Sequence, residues 1–275
     1  MGFTCFMVEV VGVQVRTALQ YCYDVCSLYR KLQGLQSTPV MRDLQYLGRR
    51  LSLMYPTSAR IRKPLLQQDF VRLDSVMNPR NMEHVRLKAM LLICFQTVSR
   101  FSDIIRCDVS DLQNCTHHMV LAIRMHKTKA YTGDRFTKKI LAHPESPTTP
   151  LACSLSASLA LRDYLRLHPP PARLAPTPLF RSTGGRRWTY NDALLSFRRL
   201  LRAASMDPMS YGLHSPRIGG ATCALLDADG NELLVRTMGF WLGESVRRYC
   251  RPSKQRILAI QRRMIASATT LISDE

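Results

Sequence analysis

Leu213-His-Ser-Pro-Arg-Ile-Gly-Gly-Ala-Thr222, followed by Met238-Gly-Phe-Trp-Leu-Gly243 and Val246-Arg-Arg-Tyr-Cys-Arg251, carries the strongest structural signal in this chain. His214, Arg217, Trp241 and Tyr249 supply, in that order, a donor to an oxyanion, a guanidinium, an indole and a phenol. A tyrosine that attacks a phosphodiester needs this set. The nonbridging oxygens repel nucleophiles, and a pentacoordinate transition state adds further negative charge for donors and cations to stabilise. Arginine suits the task better than lysine, because its planar fork meets two phosphate oxygens at once. A phenol titrates near ~10, so it also requires nearby positive charge and a proton acceptor. Ser215 as N-cap and Pro216 at the first helical position predict a helix starting here. His214 then sits at a helix N-terminus, which favours anions.

This motif order resembles the C-terminal signature of the tyrosine recombinases (the phage integrase family), in the style of DIRS-like and Crypton-like mobile elements, where a Trp stands for the usual second histidine. The eight-residue interval from Trp241 to Tyr249 matches that style. The resemblance implies a catalytic domain that is mainly α with a small antiparallel β-sheet, with Tyr249 as nucleophile and a second arginine far upstream. Phe95-Gln-Thr-Val-Ser-Arg-Phe-Ser-Asp-Ile-Ile-Arg-Cys-Asp-Val109 looks like that first-arginine motif. It proposes Arg100, with Asp103 three residues on to hold the guanidinium by a charge-assisted hydrogen bond. The family's general acid is a lysine on a β-hairpin, and Arg124-Met-His-Lys-Thr-Lys-Ala-Tyr131 offers Lys127, with Lys129 as the alternative. His214 is placed to donate to phosphate or to help remove the phenolic proton. Trp241 is placed to donate through its indole N–H and to pack. Tyr211 is the competing tyrosine, but it precedes His214 and lies outside the motif order.

The charge balance fits a nucleic-acid partner. Thirty-nine Lys and Arg face 20 Asp and Glu, a net +19, and a surplus of that size points to a polyanion. Nine cysteines, at positions 5, 22, 26, 94, 107, 115, 153, 223 and 250, form no Cys-x-x-Cys pair, which argues against zinc ribbons and thioredoxin sites. Cys107, Cys115, His117 and His118 cluster in sequence, but their spacing fits no common zinc module and they read as strand and turn residues. No metal and no cofactor is expected, and reduced thiols suggest an intracellular protein, nuclear if the source is eukaryotic. The apolar run 3–15 contains Glu9 and falls short of the ~20 residues a bilayer span needs. It also lacks the basic start and cleavage site of a signal peptide. Its Val-rich composition reads as β-like, and as a mis-set start or the remnant of an upstream domain.

Periodicity supplies the remaining elements. Leu19, Tyr23, Cys26 and Tyr29 share one helix face, and Leu44, Leu47, Leu51 and Met54 share another. Residues 67–77 and 82–98 read as helices, the second almost wholly apolar from 87 to 95, as a buried central helix is. Alternation over 119–124 and 135–141 predicts a hairpin or small sheet around a loop with Gly133. Helices follow over 154–167 and 190–204, from Ser215 onward, and after Asn231, while the tail 255–272 is amphipathic. The expected layout is a truncated helical core-binding region over 1–55, a basic linker over 56–66 and a catalytic domain over 67–275.

Two functional classes result. The first is a DNA recombinase or integrase that cuts and rejoins double-stranded DNA through a covalent 3′-phosphotyrosine, as a homo-oligomer (a tetrameric synapse) on DNA. It uses no ATP, because the bond energy stays in the protein–DNA ester. The alternative is a domesticated or truncated mobile-element protein that binds DNA without cutting it. Type IB topoisomerases share the chemistry but usually begin the second arginine motif with Lys, where this chain has His214.

Overall fold

The computed structural model describes residues 2–33, 39–55, 62–123, 136–141, 153–171, 176–227 and 231–240. Its contacts separate two units, Met1–Ile61 and Arg62–Glu275. In the first unit α2 (Val15–Gln33) packs against α1 (Gly2–Glu9) and α3 (Pro39–Met54). The β-like reading of 3–15 is therefore corrected: residues 2–9 are helical. Thr4 is buried and hydrogen-bonds Cys22 Sγ on α2 at 3.2 Å. Contact with α2 overrides the local β preference, and three of the valines behind that reading (10, 11 and 13) lie between the two helices, around the turn at Gly12 (φ 72°).

The second unit is built around α5 (Met82–Gln96), which follows α4 (Gln67–Val76). Asn81 starts α5 by accepting from Glu83 N at 2.9 Å and His84 N at 3.4 Å. From Leu87 to Phe95 every residue except Lys88 is buried, because neighbours cover the helix all round. Those neighbours are α6 (Phe101–Ile104), α7 (Ala157–Leu167), α8 (Tyr190–Ala203) and α9 (Ser215–Asp227). Ser156 caps α7 through Leu159 N, and Thr189 with Asp192 forms a capping box on α8. The last described element is α10 (Glu232–Gly239), capped by Asn231.

The sheet is antiparallel in the order β1 (Leu112–Asn114), β2 (His118–Ile123), β3 (Phe136–Leu141). Met119, Leu121 and Ile123 face the core from β2, and Lys138 and Ile140 do so from β3. Leu121 pairs with Lys138, and Met119 with Ile140. The architecture is thus mainly helical with one small sheet. Among the described residues no helix is long and apolar enough to cross a membrane, and no group of His, Cys, Asp or Glu is placed to hold a metal ion.

Candidate active site

Arg100 owes its place to an abrupt end of α5. Thr97 Oγ1 turns back to Ile93 O at 2.6 Å, and the buried Val98 adopts a left-handed φ of 52°. A β-branched residue rarely takes that conformation, which recurs where a fold must turn sharply at a site. Two residues later Arg100 caps α6, and its Nη1 lies 3.6 Å from Oδ2 of Asp103. Asp103 is itself buried. Burial pushes its carboxyl above the usual range by more than Arg100 and Arg217 pull it down. The expected pairing of these two side chains is thus present in the geometry.

Arg217 reaches the same place from α9. Ile218 N bonds His214 O at 3.2 Å, so the helical hydrogen bonding begins at His214, one residue before the expected cap. Ser215 instead closes the preceding turn, with its Oγ accepting from Gly212 N at 3.0 Å. Gly219 and Gly220 allow α9 to lie against backbone on both sides. A Cβ on Gly219 would stand 1.8 Å from Leu65 O, and one on Gly220 2.0 Å from Phe95 O. Only glycine permits such an approach. Arg217 is consequently carried into the interior, 1% exposed, where its Nη2 donates to Gly239 O at 2.9 Å.

His214 shares this electropositive corner. Burial, then Arg217, then Arg100 lower it to about 4, so the imidazole is neutral at physiological pH. It keeps one donor and one acceptor there. Tyr211 stands in other surroundings. Burial and the neighbouring Asp69 push its phenol up, the opposite of what a nucleophile needs.

One residue in this corner was missed by pattern reading. Lys138 is 6% exposed on β3; burial first, then Arg217, lower it to about 7. The signal was available in the sequence. Lys138 shares the parity of Ile140 in an alternating strand, and a lysine in an apolar row demands a buried partner. Arg100, Asp103, His214 and Arg217 are therefore brought together with Lys138. Lys127, Lys129, Trp241 and Tyr249 lie outside the described residues. Of the cysteine–histidine group, Cys107 is buried in the core, Cys115 is exposed and His118 starts β2.

Solved structures share this arrangement of elements. The chain is similar to the XerH site-specific recombinase bound to a palindromic difH substrate in a post-cleavage complex, at 15% identity and TM-score 0.56, covering 74% of this chain and 53% of that one. The fold is that of the tyrosine recombinase catalytic domain. XerA recombinase gives 15% identity and a TM-score of 0.55, covering 96% of this chain and 81% of that one. The Tn1549 transposon integrase in complex with circular intermediate DNA gives 13% and 0.58, covering 94% and 82%. The chain spans about half the length of the XerH protein. No family model matches, and no curated protein matches.

Proposed function

We propose that the protein is a site-specific DNA strand transferase of the tyrosine recombinase type, in the style of mobile-element enzymes. The observation that carries this reading is the convergence of Arg100, Arg217 and a neutral His214 from two separate sequence motifs. Arg217 among them donates to Gly239 O at the exit of α10, and in sequence the chain runs on from there to Trp241 and Tyr249. The DNA held by the XerH and Tn1549 proteins and the net charge of +19 support the same partner.

In the proposed step the Tyr249 oxygen bonds to the scissile phosphorus and the bond from phosphorus to the 5′-oxygen breaks. The phenolic proton passes to His214 or to water. The departing 5′-oxygen takes a proton from the hairpin lysine, Lys127 or Lys129. Arg100 and Arg217 carry the charge that builds on the nonbridging oxygens. Attack by a 5′-hydroxyl reverses every transfer and rejoins the strand, so the chemistry consumes no ATP.

The test uses nicked duplexes of randomised sequence, in which a short 5′-product diffuses away and traps the intermediate. Wild-type protein is expected to give adducts stable to denaturing gel electrophoresis. Tyr249→Phe is expected to retard the same DNA and give none. Retardation without adduct in the wild type would make the protein a binding module, and adduct in Tyr249→Phe would move the nucleophile elsewhere.

A further inference from the structure

Lys138 stands opposite Leu121 on the core face of β3, where strand alternation calls for an apolar side chain. Three groups hold its ammonium. The Nζ donates to Thr97 O at 3.0 Å and to Met238 O, and it lies 3.7 Å from the centroid of the Phe240 ring. The first carbonyl belongs to the exit of α5; the second carbonyl and the ring belong to the exit of α10. Both exits turn through a left-handed residue, Val98 and Phe240, each at φ 52°. The α5 exit delivers Arg100 two residues beyond Val98, and the α10 exit leads directly into Trp241. The next carbonyl of α10, Gly239 O, accepts from Arg217. Two cations from different elements therefore cap adjacent carbonyls at the negative end of one helix.

We infer that Lys138 is a positioning residue of the strand-transfer site, clamping the exit of α5 to the exit of α10 and so setting Arg100 and Arg217 relative to the chain that carries Tyr249. The effect on cleavage rests on the function proposed above; the clamp itself does not. Hydrogen bonds to two carbonyls and contact with a π face form a geometry that neither a methionine nor a solvated lysine reproduces.

The charged and titratable groups facing Lys138 are Arg217 of α9, Arg100 just before α6, Asp103 of α6, and Cys94 of α5. Burial and the two arginines lower its proton affinity, Asp103 and Cys94 raise it, and the balance rests near neutrality, at about 7. A phosphate arriving beside the arginines favours the ammonium form. As pH rises past neutrality the amine forms and that extra positive charge is withdrawn.

The experiment compares wild type, Lys138→Met and Lys138→Arg. Methionine matches the length of the stem and removes a buried charge, so thermal melting is expected to show a folded protein. Hydrogen exchange of the α10 peptide, without DNA, is expected to be faster in Lys138→Met than in wild type, with Lys138→Arg in between. On nicked duplex at saturating protein, Lys138→Met is expected to retain DNA retardation and to form adduct on the order of 100-fold more slowly, the scale of a misplaced reacting group. The wild-type rate is expected to fall as pH rises above neutrality, with a midpoint that bound phosphate moves upward, and both variants to lack that inflection. Unchanged exchange in α10 overturns the clamp. A Lys138→Met rate within about twofold of wild type, or with the same pH inflection, overturns its role in positioning. Absence of adduct in every protein, wild type included, counts against the strand-transfer reading, while the exchange measurement still decides the clamp.

Discussion

His214 shows how burial sets the chemistry of a single side chain. Lowered to about 4 by burial and by two arginines, it is neutral in the folded protein while an unfolded histidine titrates near ~6.5. Between those values the unfolded chain binds a proton that the folded chain refuses. The stabilising contribution is thus complete above ~6.5 and is lost as pH falls toward about 4. Replacing His214 with Gln, which keeps a donor and an acceptor but does not titrate, is expected to leave the protein less sensitive to acid. Thermal melts at pH 7 and pH 5 should show a smaller drop for the variant, by about 1–2 kcal/mol. An equal drop would mean that this imidazole is not held neutral. Arg100, Asp103, His214 and Arg217 were legible because residue order and type announce them. Lys138 announced itself only as a lysine out of place on a strand.

At the scale of elements, α9 makes the largest demand on its sequence. The Gly219-Gly220 pair lets it pass within backbone contact of Leu65 and of the last turn of α5. Segment 62–66 is stitched to the loop ahead of α9 by Lys63 N to Ser210 O at 2.8 Å, and to the first residue of α9 by Leu65 N to Ser215 O at 3.0 Å. A methyl at either glycine must displace backbone, so Gly219→Ala and Gly220→Ala are each expected to cost roughly 3 kcal/mol or more. Gly48→Ala on α3 is the control. There the nearest atom is the Cδ1 of Leu19 at 2.8 Å, the far end of a flexible side chain, and the cost is expected to stay below about 1 kcal/mol. Urea denaturation of the three variants checks the ranking, and equal costs would contradict it. A second brace holds the segment after α6. Arg187 donates to Ile105 O, Cys107 O and the buried Asp108 carboxylate, at 2.9, 3.0 and 2.5 Å.

For the whole molecule, charge is the property that composition settles. A net +19 predicts that the protein, if it binds DNA as proposed, does so by release of counterions from phosphate, whatever the sequence bound. Affinity for a fluorescent duplex, measured by anisotropy, is expected to fall about 1000-fold between 50 and 200 mM salt. A flat response would exclude a phosphate-tracking surface. Tyr249→Phe is expected to share the wild-type salt dependence, since a neutral phenol contributes no cation.

The order of the motifs, the two glycines, the apolar run of α5, the hairpin alternation and the positive charge are written directly in the residues. Those signals are local: a period, a spacing or a count is complete within a few neighbouring residues. Packing between distant segments is what makes residues 2–9 a helix, turns Val98 and Phe240 left-handed, keeps His214 neutral and buries Lys138. Each of these depends on what packs against the residue from elsewhere in the chain. Burial and field belong to the surroundings, and for Lys138 the surroundings are Thr97, Met238 and Phe240, 41 residues before it in one case and 100 or more after it in the others.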